Sequence, residues 1–311
     1  MEVGVKMSRI KLTIGTDPEF ALKSKKGYVA AQSANIEGTK HEPFALKNGG
    51  TLQRDNVAVE FATDPAKTPK SFVKYIKQCL ADTYEMLPEG VDMVAEPSAQ
   101  FPEEELEHPE TQEFGCSADF DAYTKTKNAP PYCSDETLRS FGAHVHVGCL
   151  DENGEPIKGL EFLTEFHGKI DVVKAMDLFH GLVSTLFDNS PAAIKRRELY
   201  GKAGCHRPTK YGVEYRVLSN FWMKSPELVM LIDSLTRDAV NLVKKKQLGK
   251  ILEAVGEDNL QNIINNGDTG AAGEILSNHI IPKMSKQTLE YYEMCLEKMP
   301  KYKSIKEEWG I

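Results

Sequence analysis

Residues 9–15 (RIKLTIG) alternate apolar and polar positions and carry branched side chains, which predicts a strand. The turn-rich Asp17-Pro18-Glu19-Phe20 that follows continues onto another extended piece. Strand-like segments recur at 27–32 (GYVAAQ), 51–63 (TLQRDNVAVEFAT), 142–149 (GAHVHVGC) and 212–219 (GVEYRVLS). Apart from 27–32, each mixes charged or imidazole residues among apolar ones. After Pro69 the apolar positions Phe72, Ile76, Leu80 and Tyr84 recur at helical spacing, with Ser71 near the start, and predict an amphipathic helix. A second helix is expected over 170–188, closed by Asn189-Ser190-Pro191, and a third over 226–246 with lysines in its last turn. Residues 248–300 read as shorter helices punctuated by Gly256, Gly267, Gly270 and Gly273. A strand-bearing first two thirds thus passes into a helical last third, an α+β pattern.

Composition narrows the class. The chain has 311 residues, 41% hydrophobic and 27% charged, which suits a packed globular core and is read as one elaborated domain over 1–311. A formal charge of −8 disfavours nucleic acid as the main partner. The six cysteines are scattered without a C-x-x-C and read as reduced thiols of a cytoplasmic protein. The first residues carry charges inside their apolar stretch, so no signal peptide is expected, and Met7 is an alternative start. No apolar run reaches the roughly 18 residues that a membrane span needs. The acidic run at 102–113 is most simply a solvated loop.

Candidate chemistry comes from polar residues that share a strand face, since side chains alternate with period two. Asp17 and Glu19 stand two apart. They are either exposed acids of a turn or a pair facing one divalent cation. Strict alternation over 54–61 puts Asn56, Ala58 and Glu60 on one face and Val57, Val59 and Phe61 on the other. His144 and His146 can address one metal or phosphate, and Gly142 and Gly148 permit a close approach of a ligand. Glu214 and Arg216 share a face, as a salt bridge or as site residues. Upstream, Arg196, Arg197, Lys202, His206, Arg207 and Lys210 crowd a stretch with Tyr200 and Gly201, read equally as a solvated basic loop or a polyphosphate site. Oxygen-rich ligands with imidazoles and cations suit magnesium or manganese bridging phosphates.

The order of these motifs resembles the glutamine synthetase and glutamate–cysteine ligase superfamily: Gly15-x-Asp17-x-Glu19-Phe20, an acid on the next long strand, Gly142-x-His144-Val145-His146, an arginine-rich loop, then Glu214-x-Arg216. Asp55 to Thr63 is similar to the glutamate–cysteine ligase version, and the whole set to the phage-type COOH–NH2 ligases (amidoligases), including a Gly-Cys-x-x-Asp-Phe segment at Gly115, Cys116, Asp119 and Phe120. The resemblance spans residues 12–222 and leaves 223–311 as a helical tail. It implies a curved antiparallel sheet with helices on the convex side and a concave face holding divalent ions between ATP and an acidic substrate. It implies Asp17, Glu19, Glu60, His144 and Glu214 as metal ligands and His146 beside the ATP phosphates. Arg197, Lys202 and Arg207 become candidates for a phosphate clamp. Arg216 would stabilise the transferred phosphoryl, with Asp55 and Asp119 as further catalytic candidates and Asp121 a second candidate at the amine. The expected function is ATP- and Mg2+-dependent joining of a small-molecule or peptide carboxylate to an amine through an acyl phosphate. A guanidino phosphotransferase or a catalytically silent virion or host-binding protein on the same fold stay open. A homo-oligomer is compatible with this reading, as is a place in the host cytoplasm if the chain is phage-encoded.

Overall fold

The computed structural model describes residues 11–112, 119–130 and 133–311. Cys116 and Gly115 lie outside them, as do residues 9 and 10 of the first predicted strand. The strands are β1 (Thr13–Ser24), β2 (Gly27–Val29), β3 (Phe44–Ala45), β4 (Thr51–Asp55), β5 (Ala58–Ala62), β6 (Asp92–Val94), β7 (Ser98–Gln100), β8 (Phe120–Asp121), β9 (Leu138–Ser140), β10 (Ala143–Gly148), β11 (Cys205–Thr209) and β12 (Gly212–Tyr215). Ten of them form one antiparallel sheet that does not close, with the path β3-β4-β5-β1-β10-β12-β11-β8 and with β2 and β6 also on β1. β7 and β9 make a separate ribbon. The architecture is α+β.

The helices are α1 (Pro69–Met86), the single turn α2 (Pro109–Gln112), α3 (Phe166–Met176), α4 (Leu182–Phe187), α5 (Pro191–Leu199), α6 (Pro226–Lys244), α7 (Leu248–Val255), α8 (Glu257–Asn266), α9 (Thr269–Ile275), α10 (Lys286–Lys298) and α11 (Ile305–Trp309). Thr68 caps α1, and Ser71 answers it three residues in as the second half of a capping box, so the predicted start shifts slightly upstream. Ser225 caps α6 ahead of Pro226. The expected 170–188 helix is interrupted: a π-helical turn over Asp177–Gly181 separates α3 from α4 and buries Asp177 and His180.

Alternation sorts each strand into two faces. On β1, Ile14, Phe20 and Leu22 are buried in an apolar cluster that runs from Leu12 to Trp309 and takes in α1, α3 and α6. Asp17 and Glu19 project from the other face. The tail is tied to this core, since the Trp309 indole N–H donates to the Met223 carbonyl at 2.8 Å.

Two sequence readings need correction. Residues 51–63 are not one strand but the β4–β5 hairpin, with Asp55 opposite Ala58. Asn56 takes the turn at φ 55°, a left-handed conformation that asparagine tolerates. It therefore leaves the face assigned to it and bonds to the Thr111 carbonyl and the Arg139 guanidinium. The arginine-rich stretch is no loop either, because Ser190 caps α5 across residues 191–199 and Cys205–Thr209 adds β11 to the sheet.

Candidate active site

Register builds the site. β1 sets Asp17 against His144 and Gly15 against His146 on β10, and Glu19 against Glu60 on β5. His146 in turn faces Glu214 on β12, which faces Arg207 on β11. Gln53 faces Glu60 on the outer side, with Asp55 two residues further along β4. Residues directly opposite share a face, so these side chains form one polar surface.

At its β10–β12 end, the His144 Nδ1 and His146 Nε2 lie 3.0 and 3.1 Å from the same Asp17 oxygen. Asp17, His146 and Glu214 each bring a ligand atom within 4.8 Å of the others. Glu214 also pairs with Arg216, and accepts from Arg207 at 2.9 and 3.1 Å. His146 passes its other nitrogen to the Tyr211 hydroxyl at 2.6 Å. Toward β5, the Gly142 N–H donates to Glu19 at 2.7 Å and the Gln53 amide to Glu60 at 2.7 Å. Lys40 stands 3.5 Å from Asp55.

These surroundings set the charges. Burial pushes Glu19 up to about 8, with Asp55 and Asp17 adding to it, and Glu60 well above the usual carboxylate range for the same kind of reason. Burial and Asp17 raise Glu214 to about 7 against the pull of His146 and Arg207, and burial raises Asp55. Burial and the Arg216 charge lower His144 to about 3, so it is a neutral imidazole at neutral pH. Burial opposes the charged form of His146, but Asp17 and Glu214 outweigh it and raise the group. Burial also works against ionised Asp17, yet the imidazoles hold its carboxyl well below the ordinary value.

The structure brings Asp17, Glu19, Asp55, Glu60, His144, His146, Arg207, Glu214 and Arg216 onto this surface. It adds Asp119, whose Oδ2 lies 3.8 Å from the Arg216 Nε and whose Oδ1 accepts from Asn128 at 2.9 Å. Asp121 serves a turn instead, accepting from the backbone N–H groups of Tyr123 and Thr124. Arg197 is a correction. Its guanidinium is buried against Asp188 and bonds that residue's carbonyl at 2.8 Å, and its neighbour Arg196 is the one turned toward Glu19 and Gly142. Lys202 is exposed in the connection from α5 to β11. His206 lies on the opposite side of β11 from Arg207 and bonds the Gly204 carbonyl.

The histidines also differ from expectation. The trio at ligand spacing contains His146 and not His144, whose nitrogens face Asp17 and, at 3.4 Å, the Tyr200 hydroxyl. The flanking glycines admit protein rather than ligand: a Cβ on Gly142 would sit 2.9 Å from His144, and one on Gly148 would collide with the Thr13 hydroxyl. Gln53 escaped the sequence reading, although its place two residues before Asp55 on an alternating segment was a usable signal.

An acid-rich face carrying imidazoles and guanidinium groups offers donors for a divalent cation and for anionic oxygens. Residues 140–308 match the family described as "Phage phiEco32-like COOH.NH2 ligase-type 2". The chain belongs to this family of carboxylate–amine ligases. Among solved structures it is similar to a bifunctional glutathione synthetase from Pasteurella multocida (11% identity, TM-score 0.40, covering 93% of this chain and 52% of that one). It is also similar to a novel glutamine synthase homolog (12%, TM-score 0.38, 94% and 71%). A third is the complex of the ubiquitin-like protein Pup with its ligase PafA (10%, TM-score 0.43, 96% and 62%). The chain thus spans about half the length of the first of these, 52%. No curated protein matches it. No helix among the described residues is long and apolar enough to cross a membrane.

Proposed function

We propose that the protein is an ATP- and Mg2+-dependent ligase that activates a carboxylate as its acyl phosphate and passes the acyl group to an amine. The observation that carries this reading is the convergence of Asp17, His146 and Glu214 within 4.8 Å, beside Arg207, Arg216 and Asp119, in a chain of this family.

The residues suit a divalent cation. Asp17, His146 and Glu214 bring one imidazole nitrogen and two carboxylates within 4.8 Å of one another, and carboxylates dominate the donor set. Asp17, His146 and Glu214 would hold one ion, and Glu19 with Glu60 a second. A bound ion supplies neutralisation of phosphate charge. Arg216, and Arg207 from the next strand, offer fixed guanidinium donors to the phosphate oxygens. The substrate carboxylate attacks the γ-phosphorus in line and ADP departs, leaving an acyl phosphate. The amine then attacks the carbonyl, phosphate leaves, and the amine's proton goes to a carboxylate. Asp119 would take that last role, a reading supported by its buried Oδ2, which lies 3.8 Å from Arg216 and accepts no hydrogen bond from the described residues. The reading takes 1–311 as one catalytic unit, in keeping with the apolar cluster shared by sheet and tail.

The test supplies ATP, Mg2+, hydroxylamine and a panel of carboxylic acids. Hydroxamate formed in step with ADP is the expected result. A phosphorylated guanidine from a parallel panel, or no ATP binding by calorimetry, overturns the reading.

A further inference from the structure

Arg216 lies just beyond the end of β12, so sheet pairing does not fix its side chain. Its guanidinium is held by neighbours, with one Nη on Glu214 and the other on the Tyr200 hydroxyl. Tyr200 follows α5 directly, in extended backbone. Two cations lie near its ring, with the Arg216 Cζ 5.3 Å and the Arg196 Cζ 5.5 Å from the ring centroid. Guanidinium groups are attracted to an aromatic face, and their planes stack on it.

Arg196 is the fixed one of the two. It is 1% exposed and donates to the carbonyls of Val217 and Leu218 at 2.8 and 2.9 Å, the two residues after Arg216. Gly201 makes room for it: at φ +78° a Cβ there would collide with the Arg196 guanidinium. The Tyr200 hydroxyl also lies 3.4 Å from His144 Nε2, and His144 Nδ1 lies 3.0 Å from Asp17. Tyr200 therefore touches both the cationic and the ligand-bearing parts of the site, while Arg216 Nε faces Asp119 at 3.8 Å.

We propose that Tyr200 is a positioning residue for phosphoryl transfer, holding the Arg216 guanidinium by hydroxyl and ring so that it meets the transferred group. The proposal rests on the reading of Arg216 given above. A group that acts on the transition state through another lowers kcat and leaves substrate binding nearly alone.

The test compares the full-length wild type with Tyr200→Phe and Tyr200→Leu in the hydroxamate assay, with ATP affinity measured by calorimetry. Tyr200→Phe keeps the ring and loses the hydroxyl bond, so kcat is expected to fall roughly tenfold with the KM for ATP within about twofold. Tyr200→Leu loses both contacts and is expected to fall roughly a hundredfold, with Tyr200→Phe melting as the wild type does. An unchanged kcat in Tyr200→Phe overturns the proposal, as does a loss confined to KM or matched by a loss of ATP-binding sites. If the wild type binds ATP but yields no hydroxamate, the ligase reading falls first and takes this role with it.

Discussion

Where β1 lies against β10, Asp17 meets two imidazoles at 3.0 and 3.1 Å, and Glu214 nearby meets two guanidinium groups. Where β1 lies against β5, Glu19 meets Glu60, with Asp55 on the next strand and an exposed Lys40 at 3.5 Å from Asp55. Both ends are built from the same i, i+2 spacing. One is close to charge balance within the protein, and the other gathers acids whose proton affinity burial has raised. The first end is balanced by groups of the chain itself; at the second the acids hold protons unless a cation joins them, because like charges in a poorly solvated site cannot all ionise.

The largest expected effect comes from breaking the balanced end. In Glu214→Gln, Arg207 and Arg216 lose their shared anion, and a ligand of the proposed ion goes with it. ATP-dependent hydroxamate formation should drop by roughly 10³-fold or more. Unfolding in urea should show a change of only about 1 kcal/mol, because burial already raises Glu214 and Arg216 keeps Asp119 beside it. Retained turnover would remove Glu214 from the site.

At the acid-rich end the sign depends on metal and pH. Glu60 has a raised pKa in the folded chain, so its contribution to stability is full below its ordinary value and is lost as pH rises. Without divalent cation, Glu60→Gln should therefore melt higher than the wild type at pH 8 and above, by roughly 1 kcal/mol. With Mg2+ at a hundredfold its Kd the wild type should gain about 2.7 kcal/mol and the variant much less. Equal Mg2+ stabilisation of both proteins would place the second ion elsewhere.

Much of this contrast was legible in the sequence, because period-two spacing is a local property. The pairs Asp17/Glu19, His144/His146 and Glu214/Arg216 needed only extended backbone to share a face, and the apolar stripes of α1 and α6 needed only the 3.6 repeat. What failed was decided by tertiary context. Nothing local says that Asn56 turns the chain while the residues around it stay extended. Arg196 and Arg197 are neighbours about 100° apart on a helix, so one faces the site and the other the core, and composition cannot say which. Asp119 and Asp121 part company for a similar reason: Asp121 is spent on a turn and Asp119 turns an oxygen toward Arg216.

The smallest effect separates acids that a cation relieves from one that it does not. Asp177 lies on the apolar side of the sheet, buried in the π-helical turn, and accepts from the hydroxyls of Tyr215 at 2.7 Å and Tyr123 at 2.8 Å. Burial raises it to about 7, against the pull of both phenols. Its raised affinity for a proton means that its contribution is complete below its ordinary value near 3.8 and is lost as pH climbs through about 7. Wild-type melting temperature should carry a downward slope across that window from this group, and Asp177→Asn should flatten it. Asparagine keeps a carbonyl for one phenol and misaligns the other, so at pH 5 the variant should be about 1 kcal/mol less stable, with the gap closing toward pH 8. Saturating Mg2+ should leave this difference in slope untouched, since Asp177 faces the helices and not the site. A slope that Mg2+ abolishes in the wild type, or that survives unchanged in Asp177→Asn, would assign the titration to Glu19 and Glu60 instead.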